Sequence, residues 1–227
     1  MSQQNKRILI GITGKIGAGK TISAKILEHA HNFQEYTMAG PLKSIALALG
    51  FTYKEVNGTQ EEKLVKNKYW DISGREFLQK FGTDICRDIL PNVINMNLNN
   101  RTLWCRVFEN YYNENKNLFP YMVVSDCRFK DELDLIKELG GVTVKIVRVT
   151  GKPADNSEKP ANNDTIATNT NNTANAHLNH ISETLQYKTN FVIYNGAGLY
   201  QLIMKLAEMI KLINGGYHKI TNSTIYI

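Results

Sequence analysis

The residues best suited to chemistry lie in one short stretch, residues 14–21, whose letters are GKIGAGKT. The stretch matches the phosphate-binding pattern G-x-x-x-x-G-K-[ST] at every fixed position. Glycines let backbone N–H groups converge on a phosphate, the lysine lies along the β- and γ-phosphates, and the threonine hydroxyl holds Mg²⁺. We therefore predict a nucleoside triphosphate site in which Lys20 is catalytic and Thr21 is a metal ligand. The predicted nucleotide-binding residues are Gly14, Lys15, Ile16, Gly17, Ala18, Gly19, Lys20 and Thr21.

Two elements must position this loop. The apolar run at 8–12 predicts a buried strand, and Ile22, Ile26 and Leu27 predict the apolar face of a helix. Glycine turns also join strands to helices in proteins that bind no nucleotide, but such turns need no Lys-Thr pair. The order of strand, glycine turn and helix favours nucleotide binding, because the first helical turn adds unpaired N–H donors and a positive dipole end.

A second candidate group ends the segment 121–126, whose apolar residues at 121–124 predict another buried strand. Asp126 at its carboxyl end would reach Mg²⁺ directly or through water, and Arg128 places a guanidinium at the same edge. The alternative is that Asp126 or Ser125 only caps the helix that follows. An acid and an arginine together favour function, so we predict Asp126 as a metal ligand and both residues as catalytic.

A third group would bind the substrate. Arg75, Gln79, Thr83 and Arg87 follow one another at i+4 steps on a predicted helix, and arginine suits phosphate oxygens. A solvated helix face is the alternative and stays open at this point. Lys43 is a further cation, at a strand-to-helix junction. The predicted substrate-binding residues are Lys43, Arg75, Gln79, Arg87 and Arg128.

The chain alternates between short apolar strands and helical patterns, which predicts an α/β fold with a parallel sheet covered on both faces. Ligands in such sheets bind at the carboxyl ends of the strands, where the glycine loop and Asp126 lie. Ser73 and Glu76 have the spacing of a capping box at the start of the helix with Arg75. The five predicted strands are at about 7–13, 34–38, 121–126, 142–149 and 191–195.

Length and composition predict one domain, because 227 residues that are 42% hydrophobic can bury one full core. We expect an acceptor-binding helical region at about 41–116. The stretch 151–180 contains eight Asn, which predicts a surface loop and leaves open whether it is a lid or an inert insertion.

Charge and cysteine content narrow the partners and the compartment. The formal net charge of +6 suits anionic ligands, and the absence of a dense Lys/Arg block favours small phosphorylated substrates over nucleic acid. Three cysteines without a C-x-x-C spacing indicate a reducing compartment. No long apolar run and no signal-peptide pattern occur, so we predict a cytoplasmic protein without a membrane partner.

Four further segments complete a recognisable set of motifs. In chain order after the glycine loop they are MAGPLK at 38–43, GREFLQKFGTD at 74–84, DCRF at 126–129 and HISE at 180–183. Together they resemble the deoxynucleoside monophosphate kinases of large DNA viruses and phages, over about residues 7–210. Those enzymes belong to the P-loop kinase superfamily, so the resemblance implies a P-loop kinase fold with a five-stranded parallel sheet and helices on both faces.

The resemblance also implies an activity. The γ-phosphate of ATP would pass, with Mg²⁺, to a deoxynucleoside monophosphate, and the resulting diphosphate would support DNA precursor synthesis. Lys20 and Thr21 would serve ATP and the metal, Arg75 and Arg128 the acceptor or transferring phosphates, and Asp126 the metal or the acceptor site. A homodimer, and a location in the host cytoplasm if the protein is viral, are expectations of the same kind.

The chain departs from the family pattern at two places, and two other readings stay open. Residues 130–132 are Lys-Asp-Glu where relatives often have a Pro-Asn-Glu-like turn, and the insertion before His180 is long. One alternative is dephospho-coenzyme A kinase, because GITGKIGAGKT at 11–21 resembles the opening of that enzyme. The other is an ATP-binding switch or nucleic-acid-associated ATPase, for which stronger basic patches are expected.

Overall fold

Parallel strands form a single sheet in the order β2-β3-β1-β4-β5-β6. The structure is a computed structural model that describes residues 6–149, 187–216 and 223–227, so the Asn-rich stretch predicted at 151–180 lies outside the described residues. The strands are β1 Ile8–Thr13, β2 Gln34–Tyr36, β3 Tyr121–Val124, β4 Val142–Arg148, β5 Phe191–Asn195 and β6 Ile225–Tyr226.

All five predicted strands are present, but the prediction of a five-stranded sheet was one strand short. The additional strand, β6, pairs with β5 through Phe191↔Ile225 and Val192↔Tyr226. Two residues are too few to show the alternation by which a strand is predicted. The strand is held by tertiary pairing, as in the hydrogen bond from the N–H of Ile225 to the carbonyl of Asn190 at 2.8 Å.

The helices lie between the strands. A 3₁₀ turn spans Glu62–Leu64, and α4 continues directly into a π-helical segment at Lys80–Ile89, followed by the N–H of Leu90 donating to Ile85 five residues back. The α-helices are α1 Lys20–His31, α2 Gly40–Ala48, α3 Tyr53–Asn57, α4 Gly74–Gln79, α5 Leu90–Val93, α6 Leu103–Asn115, α7 Lys130–Glu138 and α8 Leu199–Asn214.

Both faces of the sheet are covered, as the alternation of strands and helices predicted. On one face α1 and α8 pack against the strands, and Ile10 of β1 and Leu27 of α1 are fully buried there. On the other face α6 and α7 pack against Leu9 of β1, and Phe108 of α6 is fully buried. Successive side chains of β1 therefore pack into the apolar cores on opposite faces of the sheet, because side chains alternate across a strand.

A helical region between β2 and β3 carries α2 to α6 and has small apolar clusters of its own. Ala46, Phe51 and Val56 form one cluster where α2 and α3 meet. In another, the indole N–H of Trp104 donates to the carbonyl of Gly82 at 2.8 Å, which fixes α6 against the π segment. Across the described ranges, no helix combines the length and the apolar character needed to cross a membrane.

Candidate active site

The glycine loop at 14–21 connects the end of β1 to the first residue of α1, as predicted. Gly14, Gly17 and Gly19 have φ angles of 145°, 76° and 106°, a region that favours glycine. At two of them a side chain would also collide with the sheet: a Cβ on Gly14 would meet the Ile146 carbonyl, and one on Gly19 the Asn195 amide. The positive φ angles therefore favour glycine at these positions, and at Gly14 the backbone of β4 also leaves no room for a side chain.

The Lys20 side chain folds back over this loop. Its Nζ donates to the carbonyl of Gly14 at 2.5 Å and to that of Lys15 at 3.0 Å. Thr21 is exposed in the first turn of α1, next to N–H groups that have no partner within the helix. The loop thus presents an ammonium group, a hydroxyl and a helix N-terminus, which together suit the phosphates of a nucleotide.

The carboxyl end of β3 lies beside the loop, because β3 and β1 are neighbours in the sheet. The N–H of Cys127 donates to the carbonyl of Ile12 at 3.0 Å, which connects residues 126–128 to the end of β1 just before the loop. Residues 126–128 therefore begin at the edge of the sheet where the phosphate-binding loop leaves β1.

Asp126 accepts two backbone hydrogen bonds from the segment that leads into α2. Its Oδ1 accepts the N–H of Met38 at 2.6 Å, and its Oδ2 accepts the N–H of Ala39 at 3.1 Å. Burial raises the pKa of Asp126 above its ordinary value, although the two N–H groups and the charges of Arg128 and Lys43 oppose this. The carboxylate does not cap α7, whose N-cap is Phe129. Asp126 instead connects β3 to the start of the helix that carries Lys43.

Four cationic side chains, which we call the cation group, lie near this connection: Lys43, Lys63, Arg75 and Arg128. The charges of Lys43 and Arg128 act on Asp126, and the Nη1 of Arg75 donates at 2.9 Å to Gln60, three residues before Lys63. Partial burial lowers the pKa of Lys63, and the positive charges of Lys43, Arg75 and Arg128 lower it further. Three of the four were predicted as substrate-binding residues, whereas Lys63 was not. No local pattern in the sequence marks Lys63 as a binding residue, because it follows two glutamates in a polar stretch that is typical of a protein surface.

Glu132 is a further residue that the sequence analysis did not identify. It is only 3% exposed, and its Oε2 accepts the N–H groups of Arg128 at 2.6 Å and Phe129 at 3.0 Å. Burial raises the pKa of Glu132 to about 7, and the charges of Asp126 and Asp131 act in the same direction. Glu132 therefore fixes the backbone that carries Arg128. A Glu at the third position is typical of the start of a helix, and this was the sequence signal that could have identified Glu132.

Two sequence comparisons identify the family. Residues 48–178, more than half of the chain, match the family model of deoxynucleotide monophosphate kinases. A protein of Acanthamoeba polyphaga mimivirus, provisionally named a deoxynucleotide monophosphate kinase, is 38% identical over 145 residues, which are 62% of this chain and 74% of that protein. The chain belongs to the deoxynucleotide monophosphate kinase family. The predicted resemblance is confirmed, and with it a phosphotransferase that acts on deoxynucleoside monophosphates.

Among solved structures, dephospho-CoA kinase from Campylobacter jejuni aligns with 92% of this chain over 98% of its own length. The TM-score is 0.43 and the sequence identity is 16%. The family assignment of the kinase rests on the two sequence matches, which favour a deoxynucleotide acceptor over the alternative of dephospho-coenzyme A.

The kinase does not bring the whole predicted arginine stripe to one place. Arg75 joins the cation group, whereas the Nη2 of Arg87 pairs with Oδ1 of Asp131 at 2.6 Å and its guanidinium lies 4.0 Å from the Phe129 ring centre. Gln79 ends α4, and its side chain forms no hydrogen bond within the described part of the chain. The i+4 spacing assumed a regular α-helix, but the π segment has wider turns, so later residues point elsewhere. The predicted HISE segment at 180–183 lies outside the described residues.

Glu132 should make the stability of the kinase depend on pH. Its pKa of about 7 in the fold exceeds the ordinary 4.5, so the folded protein binds more protons between these values. The contribution of Glu132 to the free energy of unfolding should therefore be highest below pH 4.5 and fall by on the order of 3 kcal/mol as the pH rises to 7. Glu132→Gln keeps an acceptor oxygen but cannot ionise, so this fall should disappear.

Urea unfolding of both proteins at pH 5, 6, 7 and 8 measures the difference. Other titrating groups are common to wild type and variant and cancel in the comparison. Parallel curves of unfolding free energy against pH would contradict the assignment to Glu132.

Proposed function

We propose that the kinase transfers the γ-phosphate of ATP to a deoxynucleoside monophosphate between the glycine loop and the cation group. One observation carries the proposal: Asp126, beside the loop, accepts the backbone N–H groups of Met38 and Ala39, and the helix that follows them bears Lys43 of the cation group. A phosphate-binding loop and a second cationic site thus lie at adjacent strand ends. This is the arrangement that transfer between two phosphates requires.

The loop residues would take the triphosphate. The N–H groups at the start of α1 would face phosphate oxygens, and the Nζ of Lys20 would exchange the carbonyls of Gly14 and Lys15 for the β- and γ-phosphates. A cation at this point stabilises the charge that builds up on the transferring group. ATP as the donor is part of this proposal.

Mg²⁺ would be held by the Thr21 hydroxyl and the Asp126 carboxylate. Both supply oxygen atoms, which this ion prefers, and phosphoryl-transfer sites commonly hold it through one or two protein groups plus phosphates. Each Asp126 oxygen accepts one N–H and has a further lone pair, so the donor set fits the ion. When bound, the ion neutralises phosphate charge.

The cation group would hold the acceptor phosphate and direct one of its oxygens at the γ-phosphorus. A phosphate monoester has a second pKa of about 6, so this oxygen is already deprotonated near neutral pH. The acceptor therefore needs no general base, and the work of the protein is to position two groups that repel each other. Arg75 and Arg128 suit this task because a guanidinium can bind two phosphate oxygens at once.

The setting of the reaction is part of the same proposal. A deoxynucleoside diphosphate is a precursor for DNA synthesis, and the mimivirus relative supports a role in a large DNA virus, with the host cytoplasm as the location. A homodimer remains an expectation from the family resemblance.

A coupled assay of ADP release tests the proposal. ATP and Mg²⁺ are supplied with dTMP, dGMP, dCMP and dAMP, with their ribose counterparts and with dephospho-coenzyme A. Turnover of one or more deoxynucleotides is expected and would also show the base preference. Turnover of dephospho-coenzyme A alone, or of none of these compounds, would overturn the proposal.

Arg75→Ala should damage use of the monophosphate without affecting ATP. Loss of a charged hydrogen bond to phosphate should raise the KM of the acceptor roughly 10- to 100-fold. The KM of ATP should stay within about twofold, because the triphosphate is assigned to the other site. Steady-state kinetics with each substrate varied in turn measures both values.

Arg7→Ala is the matched control for this variant. Arg7 lies just before β1, at the opposite end of that strand from the glycine loop, and hydrogen-bonds Asn117 at 2.6 Å. Both KM values should be unchanged in this protein. A rise in the KM of ATP with an unaltered acceptor KM in Arg75→Ala would show that the acceptor-site assignment is wrong.

A further inference from the structure

Lys63 lies on a turn that no motif of the sequence includes. The turn is held by its own acidic residue: the N–H of Thr59 donates to Oε2 of Glu62 at 2.8 Å, and Lys54 pairs with Oε1 of Glu62 at 3.3 Å. The N–H of Glu62 in turn donates to the Thr59 hydroxyl at 3.2 Å. The carboxylate next to Lys63 is therefore occupied in building the turn and forms no ion pair with Lys63.

The turn is attached to the helix that bears Arg75. The Nη1 of Arg75 donates to Oε1 of Gln60 at 2.9 Å, so the segment before Lys63 is linked to the start of α4. The acceptor in this bond is a neutral amide, and the positive charge of Arg75 is not compensated by it. The hydrogen bond thus keeps two cations near each other without neutralising either.

The cation group carries four positive charges from four separate segments: α2, the 3₁₀ turn, α4 and the loop before α7. Within the described ranges no carboxylate lies in ion-pairing distance of Lys43, Lys63 or Arg75. The positive charges of Lys43, Arg75 and Arg128 repel the ammonium of Lys63 and lower its pKa. Like charges gathered in this way destabilise the free protein, and they are expected where an anion binds.

We propose that Lys63 binds the phosphate of the acceptor nucleotide, as a further substrate-positioning residue of the kinase. This inference rests on the proposed function. The ligand that fits is a phosphate monoester dianion, because its charge and oxygens match lysine and arginine donors from several directions. The triphosphate already has Lys20 and the glycine loop, which leaves the acceptor phosphate for the cation group.

The test is Lys63→Met, which keeps most of the side-chain length and removes the charge. The KM of the deoxynucleoside monophosphate should rise about 10-fold, with the KM of ATP within about twofold of wild type. Calorimetric binding to the free enzyme should show the same loss for the monophosphate and no loss for the corresponding deoxynucleoside, which has no phosphate. Lys63→Arg should restore most of the affinity.

Stability separates a binding role from a structural one. Because the variant removes one of four mutually repelling charges, its melting temperature should equal or exceed that of wild type. A residue needed for the fold would give the opposite result. The matched control is Lys66→Met, since Lys66 lies in the same segment but pairs at 3.1 Å with the exposed Asp71. That protein should have wild-type kinetics.

The outcomes distinguish this inference from the function on which it rests. If wild type is active and Lys63→Met has the acceptor KM of the Lys66→Met control, the role of Lys63 is wrong and the function stands. An equal loss for monophosphate and deoxynucleoside, or a lower melting temperature, would also overturn the role. If wild type phosphorylates no monophosphate, the function fails and the role of Lys63 fails with it.

Discussion

Lys20→Ala is expected to lower kcat by at least about 10³-fold, since it removes a fixed positive charge from the transferring phosphate. The position of the ammonium supports this size of effect. It lies on the carbonyls of Gly14 and Lys15, within the loop that would surround the phosphates, and the first turn of α1 sets its direction. A preorganised charge at the reacting group raises kcat because it stabilises the transition state more than the bound substrates.

The fold should survive this change. The loop is shaped by glycine φ angles and by contacts to β4 and β5, among them the bond from Asn195 Nδ2 to the carbonyl of Ala18 at 2.9 Å. The melting temperature should therefore stay within about 2 °C of wild type. Lys211→Ala, in the last turn of α8, is the control for loss of one positive charge. Near wild-type turnover in Lys20→Ala would show that the assigned role is wrong.

Asp126→Ala should reduce both activity and stability. Two partly buried backbone N–H groups, of Met38 and Ala39, would lose their acceptor, and each costs about 1 to 3 kcal/mol when left unsatisfied. We expect a loss of about 2 to 4 kcal/mol in the free energy of unfolding, which urea unfolding measures. The kcat should fall at least about 10²-fold, because the segment leading to Lys43 is released and a metal ligand is lost.

Asp126→Asn separates these two contributions. The amide keeps an oxygen for one of the two N–H groups but loses the charge that attracts a cation. If Asp126 binds Mg²⁺, the concentration of Mg²⁺ for half-maximal activity should rise in Asp126→Asn while most of the stability is retained. Asp134→Ala, at a half-exposed residue of α7 paired with Lys130, is the control and should resemble wild type in both measurements. Unchanged stability in Asp126→Ala would contradict the role of the two backbone hydrogen bonds.

Local patterns in the sequence were sufficient for a large part of the fold and the site. The glycine loop, the five longer strands and the Ser73 cap, whose hydroxyl accepts the N–H of Glu76 at 3.1 Å, each depend on neighbouring residues. The same holds for the position of Asp126 at the carboxyl end of β3. Because parallel strands place their carboxyl ends at one edge, these local features also predicted which residues would approach each other.

The remaining features depend on segments far apart in the chain. Asp126 is bound by an N–H 88 residues away, and Arg87 pairs with Asp131 44 residues away. The i+4 spacing could not show that the helix with Arg87 changes to π geometry and directs that side chain to α7. Strand β6 is too short for a periodic pattern and exists through its pairing with β5.

The sequence by itself determined the chemistry that this kinase can offer: a phosphate-binding loop, an acid at a neighbouring strand end and arginines suited to phosphate. Only the tertiary structure decided how those groups are supported. It placed Lys63 among three other cations and buried Glu132 under the backbone of Arg128. The physical reason is that charge repulsion and desolvation depend on distance through space, and residues such as Lys43 and Arg128 become neighbours only after the chain has folded.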